Sequence, residues 1–237
     1  MLLNNGLVAY GNDALLYFAS LLVVLLASYL LGSLNSAIIV SRALYHEDVR
    51  TKGSGNAGLT NMLRNYGKKG ALLTLFGDIA KTAIALLIAG IVFGFHYIGG
   101  ISIGGELGEC YMAGLFAVLG HIFPVYYRFK GGKGVLVTST MALILTPIPF
   151  AILLLLFVLI VWMSKYVSLG SVLVAVLYPV LLHGYFAVVF GGSPMPPLTA
   201  LASIALAILI VWCHRSNLVR LGNRTENKLS FGKKKDE

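Results

Sequence analysis

Long apolar runs alternate along this chain with short, polar, basic and glycine-rich joints. A hydrocarbon core roughly 30 Å thick takes about 20 apolar helical residues, with a tolerated range of roughly 17 to 25. By that measure the runs predict spans over 14–40, 70–95 and 107–123. The stretch 134–163 is too long for one span and carries Pro147 and Pro149 at its middle. It divides into two short spans, 134–145 and 150–163, lengthened by flanking residues. Spans over 169–190 and 198–213 complete seven. The first run has no basic stretch before it and exceeds an ordinary leader in length, so it reads as a retained span.

Composition agrees with this pattern. Of the 237 residues 58% are hydrophobic and only 11% charged, against about 25% charged in soluble domains. The class is therefore an integral membrane protein, all-α. Placement of charge then orients it. With seven spans, one face receives 42–69, 128–133, 164–166 and everything after span seven, and these hold 17 of the 18 Lys and Arg residues. The eighteenth, Lys81, lies in the first turns of span two on the same side, while 96–106, 146–149 and 191–197 hold none. By the positive-inside rule the N-terminus is outside and the C-terminus cytoplasmic. Merging 134–163 into one span would move Lys165 and the tail outside and destroy the asymmetry. The expected organisation is a single transmembrane domain, 1–217, with a basic cytoplasmic tail, 218–237. Lys233, Lys234 and Lys235 read as a contact to anionic lipid. Cys110 and Cys213 sit in or beside apolar runs without metal-ligand spacing and read as packing residues. Nothing calls for a metal or cofactor, and aromatic-interleaved basic patches for nucleic acid are absent.

Every conspicuous polar motif lands on the cytoplasmic face. The stretch 51–64 places Gly53, Gly55 and Gly58 among Ser54, Asn56, Thr60 and Asn61, flanked by Lys52 and Arg64. Glycines admit positive φ and let several N–H groups converge, and the side chains add donors and fixed charge. That is anion-cradle chemistry; a flexible connector is the plain alternative. A second such joint, Phe129-Lys130-Gly131-Gly132-Lys133-Gly134, offers two lysines around a glycine pair, or merely anchors its loop inside. It lacks the GxxxxGK[ST] pattern, and no strand precedes it, which disfavours nucleotide hydrolysis. Asp78 and Lys81, three apart on one helical face, are costly membrane-level charges that read as a structural pair bracing the loops. His121 reads as a support for the second loop. His214, at a helix end beside Arg215 and near Asn217, is a candidate general base or simply a helix-end charge. Ser168 and Ser171 suit hydrogen bonding or helix capping better than nucleophilic attack, since no GxSxG elbow occurs. No histidine is followed five residues later by an acid.

Six motifs in order, LLGSLNSA at 30–37, GSGNAGLTNMLR at 53–64, GDIAK at 77–81, GHIFPVYYRFKGGKG at 120–134, YVSLGS at 166–171 and HRSN at 214–217, resemble the PlsY family of bacterial acyl-phosphate:glycerol-3-phosphate acyltransferases. The family's fold is seven-span with cytoplasmic active-site loops. The resemblance implies a multi-pass protein of the bacterial inner membrane, active on its cytoplasmic face. It implies acyl transfer from acyl phosphate to the 1-position of glycerol 3-phosphate, giving lysophosphatidic acid, the first acylation of phospholipid synthesis. Implied partners are both substrates, membrane lipids and other lipid-synthesis enzymes. The family's functional positions fall on Ser54, Arg64, Lys133, Ser168, His214 and Asn217. Thr82 and Ser216 stand where the family often has glycine and glutamate.

The resemblance and the residues together give an expected site. Lys133, Ser54 and His214 form its catalytic part. Gly53, Gly55, Asn56, Thr60, Asn61, Arg64, Lys130, Gly131, Gly132, Ser168 and Asn217 bind substrate, and Asp78, Lys81 and His121 support it. A carrier for an organic phosphate would share the anion loops but needs polar groups through the membrane. A lipid-binding scaffold would turn nothing over.

Overall fold

The computed structural model describes residues 14–94, 96–98, 101–104, 107–192 and 194–229. Its helices are α1 (Ala14–Ser33), α2 (Ser36–Tyr45), α3 (Leu59–Phe93), α4 (Leu107–Ile122), α5 (Val135–Leu145), α6 (Pro147–Ser164), α7 (Val167–Val189), α8 (Pro197–Cys213) and α9 (Arg215–Gly222). Between α3 and α4 two short antiparallel strands, β1 (His96–Ile98) and β2 (Ile101–Gly104), pair with Ile98 opposite Ile101. Apart from that short hairpin, the regular structure of the described residues is helical, as the all-α expectation has it.

Among the described residues, five helical stretches are long and apolar enough to cross a membrane: Ala14–Tyr45, Leu59–Phe93, Leu107–Tyr127, Pro147–Ser164 and Val167–Val189. Pro197–Cys213 makes a sixth when taken with Arg215–Gly222, from which it is bent by 54°. Of the seven spans expected, the remaining one is the short span over 134–145, which forms α5 and at 11 residues rises only about 16 Å. The chain is a multi-pass membrane protein. Boundaries moved for identifiable reasons. The run 14–40 breaks because Asn35 caps α2, its Oδ1 accepting from Ile38 N–H at 3.1 Å. Helix α6 starts at Pro147, a residue suited to the first helical position. Within the loop expected over 42–69, helix already begins at Leu59, then kinks at Gly67 (φ 69°, ψ −168°) before the span proper. The expected position of the N-terminus, the end of span two at Phe95 and the triple-lysine contact fall outside the described residues.

Helix α4 is the hub, packing on α1, α3, α5 and α8, while α6 and α7 pair on the far side. Apolar side chains such as Leu22, Phe76, Leu155, Val180 and Ile208 face outward, as a lipid solvent permits. The α1–α4 crossing is backbone on backbone. A Cβ on Gly32 would collide with the carbonyl of Ala117, and one on Gly120 with the carbonyl of Tyr29. Small residues at such crossings let transmembrane helices approach closely.

Lys81 locks this crossing from α3. Its Nζ lies 2.8 Å from Asp78 Oδ1 and 3.0 Å from His121 Nδ1, and it donates to Gly32 O at 3.0 Å and Leu34 O at 3.1 Å. The pair expected from i,i+3 spacing is thus 5% and 1% exposed and holds three helices together. Gly120→Ala should cost about 1–3 kcal/mol through overpacking. A thermal melt in detergent reads this as a lower Tm; an unchanged Tm would disprove the backbone contact.

Candidate active site

The first glycine loop is stapled, not flexible. Asn61 is 1% exposed, and all its carboxamide capacity is used. Its Nδ2 donates to Val49 O (3.1 Å) and Lys52 O (3.0 Å), while Oδ1 accepts from Ser54 N–H (3.1 Å) and Asn65 Nδ2 (2.9 Å). Asn61 therefore shapes the loop that the sequence reading had it bind substrate with. A Cβ on Gly53, whose φ is +57°, would press on Asn61 Oδ1 at 2.5 Å. Asn35 Nδ2 holds the loop from below through Ala57 O at 3.3 Å. Ser54, Thr60 and Arg64 are exposed, and Arg64 has no ion-pair or hydrogen-bond partner among the described residues.

The second loop is fastened to the end of α4. Gly131 N–H donates to Ile122 O and Gly132 N–H to His121 O, both at 3.0 Å. A Cβ on Gly131 would strike His121 O, and one on Gly132 the His121 ring Nε2. The glycine pair is there to let this loop lie on α4, so its N–H groups are spent inside the protein. Lys130 is exposed and outside the cavity, its carbonyl accepting from Arg50 Nη1 at 3.0 Å. Arg50, which sequence reasoning passed over, also donates to Tyr127 O (2.9 Å) and pairs with Asp48 (2.8 Å), tying the two loops together.

Both loops open onto a cavity of about 500 Å³. Its polar end gathers Ser54, Asn56, Thr60, Asn61, Arg64, Asp78, His121, Lys133, Ser168, His214 and Asn217 from the expected set. Gly53, Gly55, Lys130, Gly131, Gly132 and Lys81 stay behind that surface. Its apolar end runs between α5, α6, α7 and α8 along Ala142, Phe150, Leu153, Phe157, Val174, Ala175, Leu206 and Ile210 to Tyr178. There the Tyr111 hydroxyl lies 2.8 Å from both Tyr178 and Thr146 hydroxyls.

Three helices start at this cavity: α3 with Leu59 and Thr60, α5 with Val135 and Leu136, and α7 with Val167 and Ser168. Their N-cap residues, Gly58, Gly134 and Tyr166, make no side-chain cap. First-turn N–H groups without acceptors, at the positive end of the helix dipole, suit an anion.

Lys133 Nζ donates to Asn217 Oδ1. Burial lowers its pKa to about 8, with Glu226 opposing the fall and Arg220 adding to it. His214 is 3% exposed. Its Nδ1 lies 2.8 Å from the Ile210 carbonyl, which only accepts, so Nδ1 carries a proton. Burial lowers the pKa to about 4, so the ring is neutral near pH 7 and Nε2 keeps its lone pair. Ser168 and Asn217 both bond Glu226, at 3.2 and 2.8 Å, and Arg220 Nε reaches its other oxygen at 2.7 Å. Arg220 and Glu226 were missed. Arg220 sits three residues after Asn217 on α9, a spacing that shares a helix face, but nothing local in sequence announces that Glu226 folds back. Of the stretch expected as tail, 218–222 belong to α9, and Arg220, Glu226, Asn227 and Leu229 line the cavity.

The family model described as glycerol-3-phosphate acyltransferase matches residues 22–224. The chain belongs to that family, which is PlsY. Relatives named glycerol-3-phosphate acyltransferase include one from Chlorobium luteolum, 35% identical over 90% of this chain and 98% of its own length. Another, from Coxiella burnetii, is 38% identical over 89% of this chain and 98% of its own. Among solved structures, the glycerol 3-phosphate form of PlsY, an integral membrane glycerol 3-phosphate acyltransferase, superposes with a TM-score of 0.75 at 31% identity. That match covers 89% of this chain and 96% of the other. The lysophosphatidic acid form of PlsY gives 0.72 at 29%, with the same coverage.

A phosphate held at Lys133 would need the lysine in its ammonium form. Its lowered pKa means that the cation is complete below pH 7 and is lost as pH rises through about 8. The kcat/KM for a phosphorylated substrate should therefore fall about tenfold for each pH unit well above that point. A flat profile to pH 10 would remove Lys133 from phosphate binding.

Proposed function

We propose that this enzyme moves a fatty acyl group from acyl phosphate to the 1-hydroxyl of glycerol 3-phosphate, releasing lysophosphatidic acid and phosphate. It works at the cytoplasmic face of the bacterial inner membrane, with seven transmembrane helices, the N-terminus outside and the C-terminus inside. The observation that carries this reading is the two-ended cavity, a cationic, donor-rich mouth continuous with an apolar slot. A substrate with a phosphate head and an alkyl chain has that shape. Tyr178 lies 11 residues beyond Val167 on α7, about 16 Å deeper along the helix axis, a depth suited to a long-chain acyl group.

The donor class follows from chemistry. An acyl phosphate is a mixed anhydride with a good leaving group, so no acyl-enzyme is needed. Consistent with direct transfer, no hydrogen bond joins a serine hydroxyl to a histidine among the described residues. The glycerol oxygen bonds to the acyl carbon, the acyl carbon–phosphate oxygen bond breaks, and the hydroxyl proton ends on the departing hydrogen phosphate. His214 Nε2, holding a lone pair, relays that proton. Lys133 and the uncapped N–H groups of α3 and α5 stabilise charge as it gathers on the leaving phosphate. Ser54 and Asn56 line the donor's side, and Arg64 pairs with its phosphate. Ser168 and Asn217 orient glycerol 3-phosphate, so that binding contributes through proximity.

Purified enzyme should release phosphate from palmitoyl phosphate only when glycerol 3-phosphate is present, without acyl-CoA or acyl-carrier protein. Lys133→Ala and Ser54→Ala should each cut this turnover by a factor on the order of a hundred or more while inserting normally. Near-normal transfer by both variants would overturn the site assignment, and dependence on acyl-CoA the donor.

A further inference from the structure

Among the described residues, two carboxylates line the cavity: Asp78, which pairs with Lys81, and Glu226, which lies among Lys133, Asn217, Ser168 and Arg220. Glu226 accepts from Asn217 Nδ2 (2.8 Å) and Ser168 Oγ (3.2 Å) on Oε1, and from Arg220 Nε (2.7 Å) on Oε2. Its side chain is 7% exposed. The segment delivering it is fixed at both ends. Thr225 N–H donates to Arg220 O at 2.8 Å, Leu229 N–H donates to Lys165 O at 2.7 Å, and the Lys228 ammonium lies 5.8 Å from the Tyr166 ring centroid. The cavity keeps its volume of about 500 Å³ with this segment in place. It is a wall of the site and not a plug in it.

We infer that Glu226 is a positioning residue for acyl transfer, fixing the Asn217 carboxamide so that its oxygen faces Lys133 and holding Ser168 and Arg220 in one unit with it. This rests on the reading of the cavity as the acyl-transfer site. A carboxamide has two ends of nearly equal shape, and a carboxylate only accepts hydrogen bonds. Glu226 therefore forces Nδ2 toward itself, which leaves Oδ1 for the Lys133 ammonium. It also accepts the hydrogen bond that the Ser168 hydroxyl donates, so that Ser168 presents lone pairs to a substrate hydroxyl. The carboxyl can do this because it stays ionised: burial opposes the charge, but bonds from Asn217, Arg220 and Ser168 hold its pKa below the usual value. Lys133 feels Glu226 across the site, together with Arg220, Cys213 and His214. Arg64, Asp78 and His121 line the same cavity.

Full-length wild type, Glu226→Gln, Glu226→Ala and Glu226→Asp are compared in detergent by steady-state kinetics over pH 6–10. Glu226→Ala should lower kcat/KM for glycerol 3-phosphate at least tenfold, with Glu226→Asp recovering most of the loss. In Glu226→Gln the alkaline limb should move to lower pH, because the carboxylate that supports the Lys133 cation is gone. A purely structural glutamate would lower Tm and leave that limb in place. Unchanged kinetics, an unmoved limb, or a gain in turnover that marks the segment as a plug would overturn the inference. Should Glu226→Ala fail to fold, the isosteric Gln variant decides. An NMR titration of isotopically methylated Lys133 reads the same shift without turnover. If wild type shows no glycerol-phosphate-dependent transfer while the Lys133 shift appears, the functional reading fails and the positioning stands.

Discussion

One buried ammonium supports the rest of the structure. Lys81 Nζ reaches the carbonyls of Gly32 and Leu34, where α1 ends and its last C=O groups lack helical partners. The same nitrogen meets Asp78 on its own helix and His121 on α4. A charge this deep is tolerable only when its partner and donors are in place, and removing one member of such a pair costs about 3–5 kcal/mol. The lock therefore sets the mutual position of α1, α3 and α4, and with it the α1–α4 backbone contact at Gly32 and Gly120.

Both glycine loops hang from that lock. Asn35, one residue beyond Leu34, caps α2 and holds Ala57 of the first loop. His121, bonded to Lys81 through its ring, carries Gly132 of the second loop on its carbonyl and Gly131 on that of the next residue. Arg50 closes the ring by bonding Tyr127 and Lys130 from the first loop's side. The order of cause runs from a buried ion pair to loop shape to the aim of Lys133 into the cavity. Most glycines and asparagines in the loops serve this shape, and the groups left for a ligand are Ser54, Arg64, Lys133 and the uncapped first turns.

What the sequence made legible follows from which forces are local. Apolar runs report helices because burial in lipid acts on each segment separately, and the Asp78–Lys81 pair is visible because three residues separate neighbours on one helical face. The proline pair at 147 and 149 correctly marked the α5–α6 joint. Glycine richness was read as ligand approach, and at Gly131 and Gly132 it is approach to α4 instead, which no local pattern distinguishes. Glu226 was illegible for a stronger reason. Its partners Ser168, Asn217 and Arg220 come from α7 and α9, and only the 54° turn after α8 and the fold-back to Lys165 bring it among them.

The residues at the starts of α3, α5 and α7 show where stability was given up. Serine, threonine, aspartate or asparagine at an N-cap is worth about 1 kcal/mol over a side chain that cannot cap and a few tenths over glycine; Gly58 and Gly134 stand there on α3 and α5, and Tyr166 on α7 offers no cap bond. A carboxylate cap at these positions would put a negative group at three helix N-termini that open onto the cavity. The acids that line the cavity are committed elsewhere, Asp78 to Lys81 and Glu226 to Asn217, Ser168 and Arg220. The Glu226 charge offsets crowding between Arg220 and Lys133 without covering the first turns of α3 and α5. Those turns, with Arg64 and Lys133, leave donors and positive charge facing the cavity.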